Sequence, residues 1–447
     1  MLYTILRKIV SLTINIFFNS VYAKNLEHLP TRGPLIIAPN HPSTFLDPLV
    51  VSMWVKRPIY FLTNGGAFSS PLKKWLYSKL FMIPIYRQQD SNESSSKNEE
   101  VFKNCYDMLK EGKVIIIFPE GSSEDERKLR KIKTGLARIA FGAEKENNFN
   151  LDVKVVCVGI NYTNPRKFQS KLFINFDNPI EIKDYKDDYE KDNIKAVKDV
   201  TNLVSERLTS LIVVTSDEKV DKLVRKIEIL YTSNLKDSLN LTFDEREQIF
   251  TIAQYISDAV KYYQHKDNEK VIDLENKLED YFSDLKKYQI RDETVSKIND
   301  KKHIIIKLIK YIPQLIIGFP FYILGLLHNY LPFIIPAFVA KKTTKYTVYQ
   351  APINIVTGII TFSIFYSIYV LLFAIYTKDS ILTTLYIIIL PISGYFTFYY
   401  WNYLRRVFES LRLFSTFEKG ENNYSLRIKR DNLIKELENI KEEYLNS

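Results

Sequence analysis

A histidine and an aspartate a few residues apart, at the mouth of an apolar run, are the side chains here best placed for chemistry. The segment Asn40-His41-Pro42-Ser43-Thr44-Phe45-Leu46-Asp47 directly follows the strand-like Leu35-Ile36-Ile37-Ala38. A neutral imidazole is the side chain whose ordinary pKa suits proton abstraction near neutrality. A carboxylate within its reach fixes the tautomer and stabilises the imidazolium formed when the ring takes a proton. Of the five histidines, His28, His265, His303 and His328 lack such a setting. Ser43 lacks the tight glycine-flanked elbow that activates serine nucleophiles.

Four further segments carry groups suited to an anionic ligand. Phe81-Met82-Ile83-Pro84-Ile85-Tyr86-Arg87 ends an apolar strand on an arginine, a good bidentate partner for phosphate. Phe118-Pro119-Glu120-Gly121 sets a carboxylate and a glycine after a second strand, where backbone can approach a ligand closely. Lys133-Thr134-Gly135 joins a lysine to the start of a helical pattern, an anion-favouring place. Gly159-Ile160-Asn161-Tyr162 closes another apolar strand. The basic run Arg127, Lys128, Arg130 and Lys131 reads as a solvated or membrane-facing surface.

The elements that must position these groups follow from hydrophobic periodicity. Strands are expected at 35–38, 58–62, 82–86, 114–118, 153–160 and 172–176, with helices near 71–80, 96–111 and 134–146. That alternation predicts an α/β fold, a mostly parallel sheet with flanking helices, in residues 25–190. Ligands of such sheets bind at the carboxyl ends of strands, where His41 and Glu120 line one cleft. Before it, residues 1–24 read as an amphipathic helix on a membrane, with Leu2, Ile5, Ile9, Leu12 and Ile16 at helical spacing. Residues 191–303 read as a polar helical connector without chemistry of its own.

Composition separates the rest. The 447 residues are 26% charged and 46% apolar, which excludes a disordered chain, yet long uncharged runs crowd into residues 304–404. Runs 346–377 and 380–404 are each long enough to span a bilayer and flank Lys378-Asp379 as a hairpin. The run 311–340 is expected to form a second hairpin with its tip near His328-Asn329. Lysine and arginine clusters at 301–310, 341–345 and 405–406 then face the cytoplasm by the positive-inside rule. An even number of crossings puts the chemical region and the charged tail, 405–447, on that same side. A net charge of +10 suits an anionic membrane surface or a phosphorylated substrate, and no recognition motif favours nucleic acid. Cys105 and Cys157 read as reduced packing residues. No cluster with metal-ligand spacing occurs, so no metal is expected.

In order and spacing, these blocks resemble the glycerolipid acyltransferase family. The similarity runs over residues 25–185: Leu29-Pro30…Gly33-Pro34, His41…Asp47, Ile83-Pro84…Arg87, Phe118-Pro119-Glu120-Gly121 with Lys133-Thr134-Gly135, and Val158-Gly159. The resemblance implies that family's fold and acyl transfer from acyl-CoA or an acyl carrier protein, with no cofactor beyond that donor. The acceptor it ranks first is 1-acyl-sn-glycerol-3-phosphate, with glycerol-3-phosphate or dihydroxyacetone phosphate as the alternative. A non-catalytic lipid-binding membrane protein is the remote third reading. His41 would be the general base and Asp47 its orienting partner. Arg87 and Lys133 would hold the acceptor phosphate. Glu120 would touch the glycerol portion or order its loop, and amides near Gly121 would meet the oxyanion. Membrane lipids are the expected partners, with an acidic acyl carrier protein docking on the basic run as a further one.

Two features depart from the common pattern. Five residues rather than four separate His41 from Asp47, and Ser122-Ser123-Glu124 stands where a basic residue usually follows the glycine. Both resemble the branch containing fungal glycerol-3-phosphate and dihydroxyacetone-phosphate acyltransferases and many bacterial relatives.

Overall fold

The structure, a computed structural model, describes residues 2–68, 70–85, 94–238, 244–297, 301–418 and 423–446. The chain forms two units: Met1–Thr215 with Phe243–Gln254 and Thr344–Ile355, and Ser216–Thr242 with Tyr255–Thr343 and Val356–Ser447.

In the first unit the chain runs α1 (Leu2–Phe17), β1 (Phe18–Lys24), β2 (Leu35–Pro39), α2 (Leu46–Ser52), β3 (Ile59–Asn64), α3 (Pro71–Lys79), β4 (Met82–Ile85), α4 (Ser94–Lys110) and β5 (Val114–Ile116). It continues through α5 (Gly135–Glu146), β6 (Lys154–Tyr162), β7 (Ser170–Phe176), β8 (Ile180–Glu181), α6 (Lys186–Lys191) and α7 (Asn193–Leu211). The sheet order is β1-β7-β6-β2-β5-β3-β4, with β8 also on β6. Strands β6, β2, β5, β3 and β4 are mutually parallel, whereas β7 and β8 run antiparallel to β6.

The central strands are apolar throughout because both faces are covered. Ile36, Ala38, Ile115, Val155 and Cys157 pack on one face against Cys105 and Leu109 of α4, Leu136, Ala140 and Phe141 of α5, and Val200 and Val204 of α7. Leu35, Ile37, Val114 and Val156, which alternate with them, are equally buried. Helix α7 is thus core to the sheet, although the sequence places it in the connector. Both cysteines are free and buried, and burial pushes their thiols up to about 12. Pro84 lies on the edge strand β4, where its missing N–H leaves no central ladder bond unmade.

The register brings two strand ends together. Ile37 aligns with Ile116 of β5 and Val156 of β6, so β2 and β5 release their chains side by side. His41 follows one and Glu120 the other. Residues 18–24, expected within the amphipathic helix, instead form the edge strand β1, parallel to β7. Its pairing with a segment about 150 residues away outweighs the local helical spacing.

The second unit holds the remaining helices. They are α8 (Glu218–Ser238), α9 (Glu245–Lys266), α10 (Asn268–Tyr288), α11 (Asp292–Ser296), α12 (Lys301–Thr343), α13 (Thr347–Thr377), α14 (Ser380–Glu418) and α15 (Asn423–Leu445). Helices α9 and α13 begin in the first unit and end in this one. Among the described residues three helices are long and apolar enough to cross a membrane, over Ile304–Thr343, Thr347–Thr377 and Ser380–Phe414, in place of the even number expected from two hairpins. The expected hairpin at 311–340 is one uninterrupted helix. His328 Nδ1 bonds the Leu324 carbonyl at 2.7 Å and Asn329 Nδ2 donates to the Gly325 carbonyl at 2.8 Å. These side chains cap the preceding turn instead of making a tip, and helix interiors in an apolar setting tolerate the prolines. The tail is also built: α15 buries Leu426, Leu433 and Leu437, and Lys429 pairs with Asp280 and Asp284 of α10 at 2.6 Å each.

Candidate active site

Strand β2 ends at Pro39, and the asparagine after it extends the ladder by side chain. Asn40 Oδ1 accepts from the Ile160 N–H at 2.7 Å while its Nδ2 donates to the Ile160 carbonyl at 3.1 Å. That two-point grip on β6 fixes where the next residue leaves the sheet.

The next residue is His41. Its Nδ1 lies 2.8 Å from Asp47 Oδ2, and Phe118 stacks on the ring with centroids 3.9 Å apart. Asp47 sits in the first turn of α2 and is wholly buried. Its Oδ2 also accepts the Ser43 N–H at 2.7 Å, and its Oδ1 accepts the Tyr162 hydroxyl at 3.0 Å. Burial pushes the Asp47 carboxyl above its ordinary range, against the pull of these donors. Burial, with the Asp47 charge, holds the Tyr162 hydroxyl well above its own. The carboxylate can only accept, so Nδ1 carries the ring proton and Nε2 keeps a lone pair. With the His41 side chain 18% exposed, that lone pair is available as a base.

The loop between His41 and Asp47 is strained. Thr44 has φ +41°, which a β-branched residue rarely adopts. It is held by its N–H donating to Ser123 Oγ at 2.8 Å and its hydroxyl to the Val348 carbonyl at 3.2 Å. Strain of this kind persists only where surrounding bonds over-determine it, commonly at functional sites.

Glu120 arrives from β5 and is 3% exposed. Oε1 accepts the His41 N–H at 2.7 Å and Oε2 the Arg130 N–H at 3.0 Å. The carboxylate is therefore engaged in ordering the loops. Gly121 follows at φ +70°, a left-handed conformation that favours glycine, and the Lys133 side chain crosses it, with Nζ 2.6 Å from where a Cβ would stand. His41 contacts Asp47 through its ring and Glu120 through its N–H, Gly121 and Lys133 adjoin Glu120 in chain and space, and Arg87 lies outside the described residues.

Sequence reasoning missed two residues. Arg130, expected on a solvated surface, is 18% exposed and wedged against Glu120, with its Nη2 3.4 Å from the His41 carbonyl. Its setting in a run of basic residues hid it. Tyr162 read as a strand end, and only the fold brings it to Asp47. Among the described residues no group of three or more His, Cys, Asp or Glu could hold a metal ion.

Comparison with known proteins gives this arrangement its context. The acyltransferase family model matches residues 20–161, and that for the glycerol-3-phosphate acyltransferase 2 C-terminal domain matches 245–445. The acyltransferase domain of this chain belongs to the glycerolipid acyltransferase family. A glycerol-3-phosphate O-acyltransferase 1 of Saccharomyces cerevisiae is 30% identical over 210 residues, covering 46% of this chain and 26% of that protein. A chloroplastic 1-acyl-sn-glycerol-3-phosphate acyltransferase of Arabidopsis thaliana is 27% identical, over 28% of this chain and 33% of that one. The similarity thus spans a third or less of each of these two family members. A solved 1-acyl-sn-glycerophosphate acyltransferase from Thermotoga maritima aligns with TM-score 0.32 and 17% identity, over 46% of this chain and 81% of that one. Within the family, the glycerol-3-phosphate branch anticipated from the long His41–Asp47 spacing agrees with the C-terminal match.

Proposed function

We propose that this protein transfers a fatty acyl chain from an acyl thioester to a hydroxyl of a glycerol phosphate. The observation that carries the reading is the 2.8 Å His41–Asp47 pair, with its aspartate fully buried and its imidazole partly exposed. His41 Nε2 takes the proton as the acceptor oxygen attacks the thioester carbonyl. The C–S bond then breaks, and the imidazolium returns the proton to the departing thiolate. General-base assistance of this kind is worth about 10²–10⁴ in rate. Arg87 and Lys133 hold the acceptor phosphate and make the encounter a positioned one. Amides near Gly121 receive the developing oxyanion.

Three matches carry the name of a glycerol-3-phosphate acyltransferase, and one of them spans the C-terminal region, which favours that acceptor. The plant relative's name supports the lysophosphatidate reading that the motif resemblance ranks first. Helices α13 and α14 cross the membrane as a hairpin, with Lys341, Lys342, Lys345, Arg405 and Arg406 on the cytoplasmic side. The exposed stripe Ile5, Ile9, Leu12 and Ile16 of α1 rests on the bilayer surface.

The test crosses two acceptors with two donors. Full-length protein in detergent is given acyl-CoA or acyl carrier protein thioester, with glycerol-3-phosphate, its 1-acyl form, or neither. Thioester loss that depends on glycerol-3-phosphate and yields its 1-acyl form is expected. Equal loss without an acceptor contradicts acyl transfer, and a strict need for the 1-acyl form reassigns the acceptor.

A further inference from the structure

His41 is gripped by its peptide as well as by its ring. Its N–H donates to Glu120 Oε1 at 2.7 Å, and its carbonyl accepts from Arg130 Nη2 at 3.4 Å. The two gripping groups are themselves joined, Arg130 Nε to Glu120 Oε2 at 3.2 Å, with the Arg130 N–H on the same oxygen at 3.0 Å. The contacts close a ring that starts and ends on one residue. Asp47 and Phe118 set how the imidazole is turned, whereas this ring sets where its Cα stands.

We propose that Arg130 is a positioning residue for the general base, clasping the His41 peptide together with Glu120, a role that rests on the acyl-transfer reading of the site. Its guanidinium lies among protein groups, with Nε against Glu120 as an ion pair rather than a hydrogen bond. Nη2 also donates to the Ser122 carbonyl at 3.2 Å, and Nη1 pairs with Glu124 at 3.1 Å. Two carboxylates, Glu120 and Glu124, match its single charge, so little of it is left for a substrate phosphate. The planar, multi-donor guanidinium suits this task in a way a lysine ammonium does not. It brings a cation to the turn Ser122-Ser123-Glu124, which carries none of its own, from a position ten residues beyond Glu120. Displacing a catalytic group by about 1 Å can cost about 10²-fold in rate, which is the scale of effect a positioning clasp controls.

The test is a double-mutant cycle in the full-length protein, with Arg130→Gln, Glu120→Gln and the pair. The clasp predicts that each single variant lowers kcat by about 10- to 100-fold. KM for the glycerol phosphate stays within about two-fold, and the double variant is no worse than the poorer single. Arg130→Lys, which keeps the charge and loses the fork, recovers part of kcat and serves if the glutamine variant does not fold. A ten-fold rise in KM at unchanged kcat overturns the proposal by making Arg130 a substrate ligand. So do losses that multiply, or an unaltered kcat. The cycle can be read on any thioester turnover that needs His41. A wild-type protein that only hydrolyses thioester defeats the acyl-transfer reading and leaves the cycle readable. Multiplying losses in a protein that does acylate glycerol phosphate defeat the clasp alone.

Discussion

Each of the two units buries an aspartate against a tyrosine hydroxyl, and the third partner makes the difference. In the first unit Asp47 accepts from Tyr162 at 3.0 Å and from His41 at 2.8 Å. In the second, Asp292 of α11 accepts from Tyr281 at 2.7 Å and from Arg430 Nε at 2.9 Å, while Arg430 Nη2 reaches the Leu230 carbonyl at 3.3 Å. Arginine keeps its charge at any working pH, and this one is 9% exposed in its side chain, so its group is a closed lock between α8, α10, α11 and α15. Histidine as a residue type gains and loses a proton near neutrality, and here the carboxylate holds it by Nδ1. The same buried carboxylate serves cohesion in one setting and chemistry in the other.

The two therefore carry opposite costs. Asp47's folded pKa is raised by burial. Its contribution to stability is present below its ordinary carboxylate value and is lost as pH rises through the raised one. Near neutrality its ionised form is a burden the fold carries so that His41 can act. Asp292, paired with a permanent cation, is the kind of buried charge whose partner is costly to remove.

The sharpest way to test this contrast is Asp47→Asn. It should lower kcat by about 10⁴, as loss of the orienting carboxylate does in a comparable triad, while thermal stability at neutral pH holds or rises. A marked fall in melting temperature would put Asp47 with Asp292 among the structural groups. Arg430→Met should do the reverse, lowering unfolding free energy by about 3–5 kcal/mol with kcat per folded molecule unchanged. Denaturant titration alongside active-fraction kinetics checks it, and a large loss of kcat at intact stability would break the comparison. The smallest effects come from the two hydroxyls. Tyr162→Phe and Tyr281→Phe each remove one hydrogen bond, worth about 1 kcal/mol. Only Tyr162→Phe should move the acid limb of the pH–rate profile upward, because Asp47 then loses a donor that holds its carboxyl down.

What the sequence disclosed follows the same division. His41 and Asp47 were legible because both lie in one short loop after an unmistakable strand. The central strands declared themselves through continuous apolar runs. Tyr162 and Arg130 were not legible, since each reaches the site through a fold that joins residues far apart in the chain. Arg130 was further disguised by its basic neighbours. The strand β1 was lost inside a helical pattern because its partner β7 is remote. In α12, prolines and His328-Asn329 imitate a turn, but in apolar surroundings those side chains return their hydrogen bonds to the helix's own carbonyls.

The central claim, that His41 is the base for acyl transfer to a glycerol phosphate, is tested most directly by one rate ratio. Acceptor-dependent thioester consumption is measured for the wild type and for His41→Ala, both full-length and both shown to be folded. A loss of at least about 10²-fold with unchanged melting temperature is the result this account predicts. A His41→Ala protein that still acylates glycerol phosphate at the wild-type rate would contradict it.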